Sequence, residues 1–285
     1  MNDFQQIYFV GGGGIGMAAI ERYFLSKGKT VAAYDRTPSD LTARLAEEGV
    51  AMSYDDDPKA AVPKAFRDPS DTLVVFTPAV PADSAVMTFF REGGFKMIKR
   101  SEALGIVTSH SKALCFAGTH GKTTTSCMAA HVLHTCACGC NAFLGGILRN
   151  YDSNLLLSAT SPWTVAEADE YDRSFHRLHP WIAVITATDP DHLDIYGTEE
   201  AYLESFAHFT ELIAPGGALV MHTGLKLVPR TGRDVRVFTY SATEGDFHAD
   251  NVRITDGAIT FDFVHPDGRI ADIELGVPVL INIEN

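Results

Sequence analysis

The stretch Phe116-Ala117-Gly118-Thr119-His120-Gly121-Lys122-Thr123-Thr124-Thr125 decides how this chain is read. Ala113 to Ala117 is an apolar run that predicts a buried strand. Gly118 and Gly121 supply a turn, and Lys122 opens a helix running to about His134. Such a turn aims several backbone N–H groups at one oxyanion, and the helix N-terminus adds partial positive charge. A lysine placed there reaches the β- and γ-phosphates of a triphosphate, and the threonine hydroxyl after it ligates Mg²⁺. The match to G-x-x-x-x-G-K-[ST] lacks its first glycine, whose place falls on Phe116.

Toward the C-terminus, Thr164 to Ala168 and Ile182 to Thr186 predict two more strands. Each runs into an acidic stretch: Glu167-Ala168-Asp169-Glu170-Tyr171-Asp172, then Asp189-Pro190-Asp191-His192-Leu193-Asp194. Loops at the carboxyl ends of parallel strands line the ligand crevice. Carboxylates and a neutral imidazole there suit Mg²⁺ beside a triphosphate. Glu199 to Ile213 predicts an amphipathic helix. From Val235 the apolar period becomes two, with turns at Asp256-Gly257 and Pro266-Asp267-Gly268, which predicts an antiparallel meander attached to the parallel sheet.

Toward the N-terminus, Ile7 to Val10 is a strand ending in Gly11-Gly12-Gly13-Gly14-Ile15-Gly16, and a helix runs from Ile15 to Leu25. Thr30 to Tyr34 is the next strand and ends at Asp35. By itself this is a G-x-G-x-x-G fingerprint with its ribose-binding carboxylate about 20 residues on. It speaks for the diphosphate of some nucleotide more firmly than for NAD, and a plain strand–helix turn is the alternative. Helices at Leu41–Glu48 and Ser84–Glu92, with a strand at Thr72–Phe76 ending in Thr77-Pro78-Ala79, complete a doubly wound α/β pattern.

Composition bounds the function. At about 100–200 residues per domain, 285 residues predict two domains. The net charge of −13 speaks against nucleic acid or an anionic membrane as partner, since both need a cationic face. Five cysteines in no regular framework suit a reducing compartment, so a cytoplasmic location is expected. No leader is read in the first residues. Thr123 to Leu148 carries no charged side chain, but its histidines, hydroxyls and glycines argue for a buried helix and a buried segment rather than a membrane span. Cys136, Cys138 and Cys140 alternate; their spacing is not that of a zinc site, and they read as small apolar residues of an extended segment. No role is assigned to them.

The glycine-rich start, Gly118 to Thr125, Glu167-Ala168-Asp169-Glu170 and Asp191-His192-Leu193-Asp194, in that order, resemble the Mur ligases of peptidoglycan synthesis over essentially the whole chain. Asn282-Ile283-Glu284-Asn285 is similar to that family's H-N-x-x-N segment. The resemblance implies a Rossmann-like parallel-sheet domain at 1–110 for a UDP-sugar. A P-loop ATPase-like α/β domain with the added meander would follow at 111–285. A third, closing domain would be missing, so that the chain alone is expected to turn over poorly. It assigns the UDP-sugar to Gly13, Gly14, Ile15, Gly16, Asp35, Thr77, Pro78 and Ala79. It assigns ATP to Gly118, Thr119, His120, Gly121, Lys122, Thr123 and Thr124, with Asn282 and Asn285 near the adenine. Mg²⁺ falls to Thr123, Glu170 and His192, and the catalytic roles to Lys122, Glu170 and His192. The implied reaction is ATP-dependent amide formation between L-alanine and the carboxylate of UDP-N-acetylmuramate through an acyl phosphate, by a monomer or weak homodimer. The alternatives are a recycling ligase adding a whole peptide, an NAD-dependent oxidoreductase, and a non-catalytic nucleotide-binding regulator.

Overall fold

The computed structural model describes residues 4–285; Met1–Asp3, where the reading for a leader begins, lie outside the described residues. The chain falls into two compact units, Met1–His110 with Cys140–Ser161, and Ser111–Gly139 with Pro162–Asn285. The chain passes from one unit to the other at 110/111, and residues 140–161 group with the first unit.

In the first unit, β1 (Gln6–Val10), α1 (Ile15–Ser26), β2 (Thr30–Tyr34), α2 (Asp40–Glu47), β3 (Ala51–Ser53), α3 (Pro58–Ala61), β4 (Thr72–Phe76), α4 (Ala85–Glu92), β5 (Lys96–Lys99) and α5 (Arg100–Ser109) alternate. The strands pair in parallel in the order β3-β2-β1-β4-β5. Both faces of β1 and β2 are covered, which is why they read as unbroken apolar runs. Tyr8, Phe66, Phe90 and Phe95 form an aromatic core on one side, and the Tyr8 hydroxyl donates to the Ala61 carbonyl at 3.0 Å. The strand order reverses between β1 and β4, so a crevice opens at their carboxyl ends.

The second unit starts with β6 (Lys112–Ala117) and α6 (Lys122–Thr135). The chain then supplies the first unit with an antiparallel hairpin, β7 (Asn141–Leu148) and β8 (Ser153–Leu156), anchored by Phe143 against Tyr23 at 5.5 Å. It resumes as β9 (Trp163–Glu167), β10 (Pro180–Ile185), α7 (Leu193–Tyr196), α8 (Glu199–Glu211), β11 (Ala218–His222) and β12 (Arg236–Tyr240). In this unit the parallel order is β12-β11-β10-β6-β9. The central strand β6 therefore lies between the two strands that carry the acidic stretches. α8 is capped by the Thr198 hydroxyl and buries Tyr202, Phe206 and Phe209, the last stacked on Phe175 at 4.9 Å.

The meander is β13 (His248–Thr255), β14 (Ala258–His265) and β15 (Gly268–Glu274), a sheet of its own, and α9 (Ile281–Glu284) follows. Two expectations need correction. Arg236–Tyr240 is not part of the meander: it pairs in parallel with β11, and a period of two does not distinguish the two pairings. Cys136 to Cys140 is not an extended apolar segment. Gly139 N donates to the Cys136 carbonyl at 3.4 Å in a turn, and Cys136 and Cys138 are exposed. No helix among the described residues is long and apolar enough to cross a membrane.

Candidate functional site

The turn between β6 and α6 is built to leave donors unused. Gly118 and Gly121 take left-handed φ of 140° and 84°. At Gly118 a Cβ would lie 2.2 Å from Thr186 Oγ1 and 2.8 Å from Ala187 N, so only glycine fits between the two strands. Thr186 Oγ1 donates to the Ala117 and His120 carbonyls, and Thr119 N donates to the Ala187 carbonyl at 3.1 Å, fixing the turn to the end of β10. Thr119 Oγ1 meets the Asp189 carbonyl at 2.7 Å and the Tyr202 hydroxyl at 2.9 Å. Burial pushes that Tyr202 phenol up, so it stays protonated. α6 itself has no side-chain cap, unlike α2, α4 and α8, which Ser39, Ser84 and Thr198 cap, and it has no acidic residue in its first turn. An uncapped helix end with a lysine beside it is an anion site in waiting.

Lys122 is turned onto the protein. Its ammonium donates to the Gly118 carbonyl at 2.5 Å and to Glu170 Oε1 at 2.9 Å. Glu170 is 2% exposed; its Oε2 is also 2.9 Å from the ammonium but accepts no hydrogen bond. Thr123 Oγ1 donates to both oxygens of Glu167, at 3.1 and 3.0 Å. A hydroxyl and two carboxylates, one of which has a buried oxygen that accepts no hydrogen bond, are the hard oxygen set that Mg²⁺ takes. These residues fit the ion.

His192 stands apart from that set in its contacts. Its Nε2 lies 3.8 Å from Asp191 Oδ2, and its ring meets Tyr171 edge-on at 5.2 Å. No cluster of three His, Cys, Asp or Glu arranged for a metal occurs among the described residues. The two acidic loops share another feature: Asp172, Arg173 and His192 are all left-handed, with φ of 52°, 55° and 51°. Non-glycine residues held there cost about 1–3 kcal/mol each, and such strain gathers at functional loops.

Asn285 comes to the same turn, its Oδ1 3.2 Å from where a Cβ on Gly121 would lie, and Asn282 reaches it through Asn285. Asn285 Nδ2 donates to Asn282 Oδ1 at 3.1 Å, and Asn285 Oδ1 accepts from Thr125 Oγ1 at 3.4 Å. Beside them is a cavity of about 230 Å³ whose walls include Phe116, Tyr240, Phe247, Phe263, Thr125 and Asn285.

The first unit repeats the design. α1 begins at Gly14 with no side-chain cap and no acidic first turn. Gly11 N and Gly12 N are spent on the Tyr34 carbonyl, and Gly13 N donates to Asp35 Oδ2 at 2.7 Å. Asp35 thus closes the turn from within. Thr77 packs on Gly11, where a Cβ would meet its Cγ2 at 2.5 Å; Pro78 and Ala79 continue that turn. Gly14, Ile15 and Gly16 are left at the exposed helix end, the Ile15 carbonyl held by Asn154 at 3.3 Å. Two residues here had no sequence signal. Arg100 lies over Gly16, its Nη1 3.2 Å from where a Cβ would be. Glu21 is fully buried beneath Gly12, and neither of its oxygens has a hydrogen-bond partner.

Residues 116–285 match the model of the Mur ligase middle domain, and residues 6–112 match that of the Mur ligase family, catalytic domain. The chain belongs to the Mur ligase family. It is 60% identical over its whole length to a UDP-N-acetylmuramate–L-alanine ligase of Phocaeicola vulgatus and 59% identical to one of Parabacteroides distasonis. It spans 62% of the length of each. Among solved structures it resembles a UDP-N-acetylmuramate–alanine ligase of Thermotoga maritima with a TM-score of 0.78 at 25% identity, covering 98% of this chain and 62% of that one. A UDP-N-acetylmuramate:L-alanyl-γ-D-glutamyl-meso-diaminopimelate ligase of Neisseria meningitides shares the fold, with a TM-score of 0.81 at 23% identity over 98% of this chain and 90% of that one. The Mur ligase fold thus accounts for the parallel-sheet first unit, the central sheet and the three-stranded meander.

Proposed function

We propose that this chain carries the sugar-nucleotide and ATP sites of a cytoplasmic ligase that joins L-alanine to the carboxylate of UDP-N-acetylmuramate. A free carboxylate and an amine do not condense at neutral pH, because oxide is too poor a leaving group. Phosphorylating the carboxylate with ATP gives an acyl phosphate; the alanine amine then attacks its carbonyl carbon and phosphate leaves.

The residues supply charge and position for these steps. The uncapped start of α6 binds phosphate oxygens. Lys122 leaves Glu170 for the β- and γ-phosphates, which frees Glu170. Thr123 and Glu170 would hold Mg²⁺, with His192 at a second site, and the ion would there supply positive charge against the transferring phosphoryl group. Asn282, Asn285 and the aromatic cavity suit a purine. The start of α1, with Arg100 above it, suits the diphosphate of the sugar nucleotide, and Asp35 acts by shaping the turn.

The single observation that carries this reading is the Lys122–Glu170 pair at the uncapped helix end, in a chain about 60% identical to ligases of that name. Those relatives favour alanine over a whole peptide. Family membership displaces the oxidoreductase, which would leave Lys122 and Glu170 idle. The test is phosphate release by a full-length relative-sized protein with UDP-N-acetylmuramate, comparing L-alanine, glycine, L-serine and tripeptide. L-alanine is expected to give the fastest release; release only with tripeptide would favour the recycling ligase. The 285-residue chain alone is expected to bind both nucleotides with little turnover.

A further inference from the structure

We propose that Cys136 and Cys138 form a redox-active dithiol, which a small-molecule disulfide closes to an intramolecular disulfide at the end of α6. Both thiols are exposed, whereas Cys115 and Cys140 are buried and Cys127 is partly so. The turn closed by Gly139 N on the Cys136 carbonyl keeps the pair on a folded stretch, and a disulfide needs Cα atoms about 4.4–6.8 Å apart. The Cys136 sulfur is already folded back on its partner, accepting from Cys138 N at 3.4 Å, while its S–H donates to the Leu133 carbonyl at 3.3 Å. Gly139, with φ of 59°, follows at once and gives the backbone room to adjust.

Reactivity agrees with placement. Hydrogen bonds from Cys138, its backbone N–H first, hold the Cys136 thiol below its ordinary value, so Cys136 is the attacking sulfur. Cys138 is raised by sharing its proton with Cys136, and burial raises Cys115 and Cys127. The Cys136 thiolate attacks one sulfur of the oxidant RSSR, forming Cys136–S–S–R and releasing RS⁻. The Cys138 thiolate then attacks the Cys136 sulfur and expels the second RS⁻. The two thiol protons leave with the two RS⁻ as RSH, so the protein loses two electrons and the oxidant gains them. A ring this small is strained and easily reduced, which makes the change reversible. Closure takes Cys136 off the Leu133 carbonyl and loosens the last turn of α6.

The test incubates the reduced 285-residue chain with oxidised glutathione, blocks remaining thiols and locates the modification by fragment mass. The expected result is loss of two hydrogens between Cys136 and Cys138, full reversal by dithiothreitol, and faster amide exchange in the last turn of α6. In Cys138→Ser the glutathione adduct should persist on Cys136. Two separately blocked or separately glutathionylated thiols, or bonds between chains, in the unsubstituted protein would overturn the proposal. This readout needs neither nucleotide nor turnover, so it stands or falls apart from the ligase reading.

Discussion

Lys122 and Glu170 hold each other at the start of α6, and in the proposed function their exchange for a phosphate and a cation is the residue-scale event on which nucleotide binding turns. Replacing Lys122 by Ala removes the phosphate partner and strands a carboxylate that is 2% exposed. Affinity for an ATP analogue should fall at least tenfold by calorimetry. Adding Glu170→Gln to Lys122→Ala should recover thermal stability without recovering affinity. Glu21 gives a second residue-scale expectation. Burial raises its carboxyl well above its ordinary value of 4.5, with Asp35 and Glu48 adding to the rise and Arg22 opposing it. A raised folded-state value means that stability is full below about pH 4.5 and falls as pH rises, by up to about 1.4 kcal/mol per pH unit, until the group ionises. Glu21→Gln should flatten this slope in denaturant unfolding between pH 5 and 8; an unchanged slope would show that Glu21 ionises without cost. Lys122 and Glu170 are legible in the sequence as motif residues, but Glu21 is not. Glu21 reads as an ordinary helix glutamate, and only its place beneath Gly12 gives it a role.

At the scale of elements, the two glycine turns are alike in pattern but not in tolerance. A Cβ on Gly118 would strike Thr186 and Ala187 in a backbone of φ 140°, whereas Gly14 has nothing within 4 Å. Gly118→Ala should cost about 1–3 kcal/mol and abolish analogue binding, while Gly14→Ala should leave melting within about a degree of the parent. Strands, helices and both turns were legible because buried parallel strands read as apolar runs and glycine marks the turns. The strands β3, β5, β7, β8 and β11 and the helix α5 are not among the expected elements: β3 and β5 are only three and four residues long, Gly145 and Gly146 interrupt β7, and α5 follows β5 without a break. The site residues were legible as motifs. Their pairing was not, since Thr123 with Glu167 and Thr119 with Tyr202 arise from strand order and a distant helix.

For the molecule as a whole, two units with separate uncapped helix ends imply two independent ligands. UDP-N-acetylmuramate and an ATP analogue should each raise the melting temperature. Saturation at a hundred times Kd is worth about 2.7 kcal/mol to the unit that binds. Lys122→Ala should erase the shift from the ATP analogue and spare that from the sugar nucleotide. Loss of both would mean that the units do not respond separately. The most direct test of the central claim is a crystal structure of the chain with a non-hydrolysable ATP analogue and Mg²⁺. The account expects the terminal phosphate at the start of α6, Lys122 moved from Glu170 onto it, and the cation on Thr123 and Glu170. An empty turn with Lys122 still paired to Glu170 would contradict it.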